Sequence, residues 1–128
     1  MNLTRYSGWL LVGTGLLHCL VGLLAGADVL ASMHQQGWWD SAQPTNGEFA
    51  PFAMLWFQAC GFFWIVLGLL MQHSLRVTAL ALPAWLGWSL LGGGTLIAFL
   101  LPASGAWLLL PQGWLIHHAA RSSKGQGL

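Results

Sequence analysis

Apolar residues fill this chain in four blocks, at residues 8–26, 51–71, 80–101 and 103–119, set apart by polar breaks. None of the blocks carries a Lys, Arg, Asp or Glu. At about 1.5 Å of rise per helical residue, a block of this length crosses a hydrocarbon core of about 30 Å. The pattern predicts an all-α fold: an integral membrane, antiparallel four-helix bundle filling residues 1–121 as a single domain. In the first block Gly8, Gly15, Cys19, Gly22 and Gly26 fall on one stripe at about 100° per residue, a side along which a second helix can approach closely. Gly61 and Gly68 share a face of the second block, and Gly87 and Gly94 a face of the third.

The breaks are uneven. Residues 27–50 form the long connection and hold Asp28, Asp40 and Glu48, all the acidic residues of the chain, together with His34, Trp38 and Trp39. The part from Asp28 to Gln36 suits either an extension of the first helix or an interfacial helix, and Gln43-Pro44-Thr45-Asn46-Gly47 reads as a turn. Gln72-His73-Ser74-Leu75-Arg76 reads as a short polar turn. Pro83 marks where the buried part of the third span begins, and Pro111 a kink in the fourth. Residues 122–128 read as a mobile cytoplasmic tail.

Charge then orients the bundle. Arg5, Arg76, Arg121 and Lys124 fall on one side of a four-span layout, and the three carboxylates on the other. The excess of cations on cytoplasmic loops predicts both termini inside and residues 27–50 outside, in the inner membrane if the source is bacterial. Composition agrees: 56% of residues are hydrophobic and 5% charged, against about 25% charged in a soluble domain. A net charge of +1 offers no field for nucleic acid. Arg5, the apolar run and Ala25-Gly26-Ala27 imitate a signal peptide, but the run is long for one and carries His18 at its middle, so it reads as a retained span.

His18 is the sharpest candidate for chemistry, because an ionisable side chain near mid-bilayer is costly unless paired or wetted. Four readings stay open for it: a structural hydrogen bond to Gln58 or a backbone carbonyl, a pocket for a small amphiphile, a proton relay, or a metal or haem ligand. A pocket would draw on His18, Thr14, Gln58, Cys60, Trp56 and Trp64. Cys19 and Cys60 form no C-x-x-C motif and suit packing. His73, His117 and His118, at predicted helix C-termini, are weak metal candidates, since the macrodipole alone favours histidine there. No cofactor is required, although haem or quinone is compatible with His18. The partners implied are the lipid bilayer, a hydrophobic ligand or a membrane protein, and a second copy; a structural subunit would assemble through the Gly22/Gly26 face. No catalytic constellation is visible, so the chain reads as a binder before an enzyme of quinone-linked or isomerase type.

Two sequence echoes complete the picture. Gly8-Trp9-Leu10-Leu11-Val12-Gly13 and Gly87-Trp88-Ser89-Leu90-Leu91-Gly92 share G-W-x-L-x-G, as two hairpins related by an axis along the membrane normal would produce. Gly15-Leu16-Leu17-His18, with Leu101-Pro102-Ala103-Ser104-Gly105-Ala106-Trp107 and Leu110-Pro111, resembles a bacterial family of small four-span membrane proteins of unknown function. The resemblance implies four helices, an inner-membrane location and no assigned activity. It maps the family's first-span histidine onto His18 and its turn onto Pro102, Ser104, Gly105 and Trp107. More remotely, the helix count is similar to that of DoxX-like proteins.

Overall fold

The computed structural model describes residues 3–44, 47–78 and 81–124, and among these every regular element is helical. A 3-10 turn, Leu3–Tyr6, leads into α1, Ser7–Ala25. A break at Gly26, whose N–H still reaches the Gly22 carbonyl, separates α1 from α2, Ala27–Gln35. Then come α3, Ala50–Thr78, and α4, Ala84–Leu100. A second 3-10 turn, Gly105–Leu108, precedes α5, Leu109–Lys124. Two helices, α1 and α3, are long and apolar enough to cross a membrane, and α4 is a shorter apolar helix.

Several boundaries differ from the sequence reading for local reasons. The connection 27–50 is half helix, since α2 resumes immediately after Gly26 and stops at Gly37, whose φ of +81° suits a residue without Cβ. The expected polar turn at Gln72–Arg76 is instead the end of α3, which runs on to Thr78. Nothing in that stretch breaks a helix, and Gln72 is turned inward, donating from Nε2 to the Arg5 carbonyl at 3.0 Å. The third helix starts at Ala84 rather than 80, because Pro83 is extended (ψ 141°). Pro111 lies in the first turn of α5, just after the 3-10 turn, where a missing N–H costs no helical bond. The expected tail is helical to Lys124; residues 125–128, Leu80 and the Thr45-Asn46 part of the loop turn lie outside the described residues.

Glycine builds two antiparallel hairpins. On α1 and α3, a Cβ added to Gly8 would lie 2.5 Å from both the Gln72 nitrogen and the Gly68 carbonyl oxygen; one on Gly15 would lie 2.8 Å from the Gly61 oxygen. Gly68 in turn fits against the Gly8 oxygen and the Val12 nitrogen. Farther along, Gly22 faces Phe57 and Gln58, and Gly26 faces Met54. On α4 and α5 the same contacts recur. A Cβ on Gly87 would lie 2.7 Å from the Gly113 oxygen and 2.8 Å from the His117 nitrogen, one on Gly113 would press on the Gly87 oxygen and Leu91 nitrogen, and one on Gly94 on the Ala106 oxygen and Leu110.

These contacts superimpose at one constant shift on each helix. Gly8, Val12 and Gly15 correspond to Gly87, Leu91 and Gly94; Gly61, Ile65, Gly68 and Gln72 correspond to Ala106, Leu110, Gly113 and His117. The hairpins therefore repeat one packing unit. They approach each other through α1 and α5, around a core of Leu11, Met71, Leu82, Leu86, Leu109 and Ile116. Arg5, Arg76 and Arg121 lie at the end where α1 begins and α3 and α5 finish; α2, with Asp28, and the loop with Asp40 and Glu48 lie at the other.

Candidate functional site

His18 sits in the first hairpin, where Gly61 leaves room for it: a Cβ there would lie 2.5 Å from Cys19 Sγ and 3.0 Å from His18 Cδ2. The imidazole stacks on Phe57, with centroids 3.8 Å apart and planes at 13°, and tilts against Trp64 at 4.9 Å. Its Nε2 donates to the Phe57 carbonyl at 3.1 Å. One residue on, the two helices exchange bonds: Gln58 Nε2 donates to the Cys19 carbonyl at 3.3 Å and Cys19 Sγ to the Gln58 carbonyl at 3.8 Å. Bonds of this kind between helices in lipid contribute about 0.6 to 2 kcal/mol. Cys19 and Cys60 are free thiols.

The six sequence candidates for a pocket thus divide three ways. His18 and Trp64 pack together, while Trp56 is exposed and edges onto Phe52. Cys60 is half-buried. Gln58 and Thr14 each line a cavity, but not the same one, and His18 lines neither of these two.

The larger cavity, about 560 Å³, lies at the acidic end between α2, the following loop and the start of α3. It is lined by the apolar residues Leu30, Met33, Phe52, Met54 and Leu55, by Trp38, and by the polar residues Asp40, Ser41, Gln43 and Gln58. Asp40 is placed there by a left-handed backbone (φ 60°), a conformation Asp and Asn tolerate better than other side chains. Ser41 Oγ donates to the Trp38 carbonyl at 3.1 Å and closes the loop on itself.

The second cavity, about 430 Å³, is a groove between α1 and α5 lined by Leu10, Gly13, Thr14, Leu17, Leu108, Pro111, Gln112 and Leu115. Here Thr14 Oγ1 donates to the Leu10 carbonyl at 3.0 Å and accepts from Gln112 Nε2 at 2.6 Å. With the Thr14 proton on the Leu10 carbonyl, Gln112 presents its N–H to Thr14. The Gln112 Oε1 is left buried without a partner, as are Gln72 Oε1 and His117 Nδ1. Each such group costs about 1–3 kcal/mol.

Gln112 and Gln72 are absent from the sequence candidates; the signal that could find them is a polar amide within or beside an apolar run, a weaker one than the ionisable His18. His117 tilts against Trp88 at 4.7 Å and His118 against Trp114 at 5.3 Å, while His73 is exposed. The described residues do not bring these three together with a further His, Cys, Asp or Glu as a metal-binding group.

No curated protein and no solved structure matches the chain. Nothing in the comparisons supports a DoxX-like assignment. A family model does match, over residues 2–123, and its description assigns neither activity nor location. With nearly the whole chain inside that match, the protein belongs to the family of unknown function DUF6463.

Proposed function

We propose that this is an inner-membrane protein of four spanning helices, both termini cytoplasmic, whose outward cleft binds an amphipathic molecule with a cationic, hydrogen-bond-donating head. The membrane part is supported by the outer surface of the bundle, where Leu16, Leu20, Leu24, Phe62, Phe63, Leu70, Leu96 and Phe99 are all exposed. An apolar surface of that extent would aggregate in water and is solvated in lipid. The separation of cations and carboxylates to opposite ends supports the orientation.

The ligand reading rests on one observation, the lining of the cleft, mostly apolar with Asp40, Ser41, Gln43 and Gln58 among its residues. A lining with methionine and phenylalanine accepts a chain or ring of varied shape, and Asp40 with Ser41 and Gln43 suits a cationic head. His18 is engaged with Phe57 and has the surroundings of a helix-pairing group rather than of a proton carrier.

The test is binding of a long-chain alkylamine to the purified protein in nanodiscs, followed by Trp38 fluorescence, with the alkyl carboxylate of equal length as control. The amine should bind, the carboxylate should bind at least ten-fold more weakly, and Asp40→Asn should remove the difference. Asn tolerates the left-handed backbone at this position, so the variant keeps the loop. Equal binding of both amphiphiles would dismiss the cleft as their site.

A second reading, assembly with a partner helix, is favoured by Gly92 and Gly93. Both are exposed on α4, and a Cβ on either would meet nothing. The Gly22/Gly26 face is already filled by Phe57, Gln58 and Met54 of α3 and is not free for assembly.

A further inference from the structure

The two hairpins act as internal controls for each other, and they differ at the groove between α1 and α5. By the shift that superimposes the glycine contacts, Thr14 corresponds to Gly93 and Gln112 to Leu67. Thr14 and Gln112 join α1 to α5, whereas the corresponding residues do not meet, since a Cβ on Gly93 would touch nothing; both members of the pair are at least nine-tenths buried, Thr14 at 7% exposed and Gln112 at 6%. At the position corresponding to Gln112, Leu67 packs against the core as an apolar side chain. Buried polar groups set into the wall of a groove are candidates for recognition.

We propose that this groove is a second binding site, for a lipid-soluble molecule bearing a hydroxyl group that donates to the Gln112 carbonyl. Three features carry the assignment. Gln112 Oε1 is a buried acceptor without a partner. The terminal amide torsion of Gln is soft, so its rotation can turn the carbonyl toward the groove in exchange for the bond its N–H makes to Thr14. The remaining walls, Leu10, Leu17, Leu108 and Leu115 with Gly13 at the floor, offer nothing but apolar contact, which excludes a charged head and selects a chain or ring system with one donor. A hydroxyl of this kind belongs either to a free long-chain alcohol or to an acylglycerol of the bilayer.

The experiment is photolabelling of the full chain in nanodiscs with diazirine-bearing probes: a long-chain primary alcohol and a diacylglycerol, each paired with its O-methyl ether. The ether keeps the apolar body and removes the donor. At least one hydroxyl probe should label residues 10–17 and 108–115 about five-fold more than its ether, the ratio expected for one hydrogen bond. Preference for the alcohol assigns the free alcohol, and preference for the glyceride assigns the bilayer lipid. Gln112→Leu installs the residue found at the corresponding position, Leu67, so the variant should fold; it should bring hydroxyl probe and ether to parity. Gly13→Leu, built into open space, should abolish labelling by both. Equal labelling by hydroxyl probes and ethers in the unaltered protein, or labelling unaffected by Gly13→Leu, would overturn the site. Neither result bears on the cleft at Asp40, which is read with a different probe.

Discussion

The two hairpins share their backbone contacts and differ in what hangs from them. In both, the opening glycine of the first helix lies on a carbonyl of a glycine in the second and against the nitrogen four residues beyond: Gly8 on Gly68 and Gln72, Gly87 on Gly113 and His117. The first hairpin adds the His18–Phe57 stack and the Cys19–Gln58 exchange. The corresponding positions in the second are Ile97 for His18 and Ala103 for Gln58, and there the shared contacts end at Gly94 against the Ala106 carbonyl, the counterpart of Gly15 against the Gly61 carbonyl. Close glycine packing is therefore what holds either hairpin, and the polar cross-pieces are additions to one of them.

The sharpest way to break this comparison is to fill the equivalent glycines. Gly8→Val puts a Cβ 2.5 Å from backbone atoms of α3, and Gly87→Val puts one 2.7 Å from backbone of α5, so neither neighbour can yield by a side-chain rotation. Each should cost about 3 kcal/mol or more, measured as loss of helicity on SDS titration of the protein in mild detergent. A large loss from one variant with tolerance of the other would mean that the hairpins are not built alike.

A smaller effect separates the additions from the frame. His18→Leu removes the Phe57 hydrogen bond and the stack but leaves an apolar side chain of the kind Ile97 supplies, so it should cost about 1–2 kcal/mol on the same titration. Gln112→Leu removes an unsatisfied carbonyl together with one bond to Thr14, and should be neutral or stabilising by about 1 kcal/mol. If His18→Leu were as damaging as Gly8→Val, the imidazole would belong to the frame.

How far the fold was legible follows from the same distinction. The glycine stripes could be read because a period of seven survives in sequence, as did the opening G-W-x-L-x-G of α1 and α4. The second half of the repeat was equally present, as G-x-L-x-x-H-x-x-R from Gly68 to Arg76 and from Gly113 to Arg121. It was obscured because the intervening connections differ in length, so no single shift aligns the hairpins. The end of α3 was missed because polar residues there look like a turn until Gln72 is seen to donate to the Arg5 carbonyl. The site was less legible still. Charge type placed Asp40 in the outer loop, but its lining one cavity with Met54 and Phe52 depends on how the loop after α2 lies against the start of α3, which no local pattern encodes.

The smallest expected effects fall at glycines that the frame leaves unused. Gly92 and Gly93 bring no contact in return for the cost of glycine in a helix, about 0.8–1 kcal/mol each relative to alanine. In the isolated protein Gly92→Ala and Gly93→Ala should each raise stability by about 0.5–1 kcal/mol, since the added methyl meets no atom. Gly13→Ala, at the position corresponding to Gly92, should do the same. The informative comparison is between detergent and membrane. If a partner helix lies on α4, Gly92→Ala will stabilise the isolated chain yet weaken crosslinking of α4 to its neighbour in the membrane, because a helix seated on glycine is pushed outward by one methyl group. If instead lipid covers that face, the gain in stability will be the same in both settings, and the open glycines are then simply unpacked positions of the repeat.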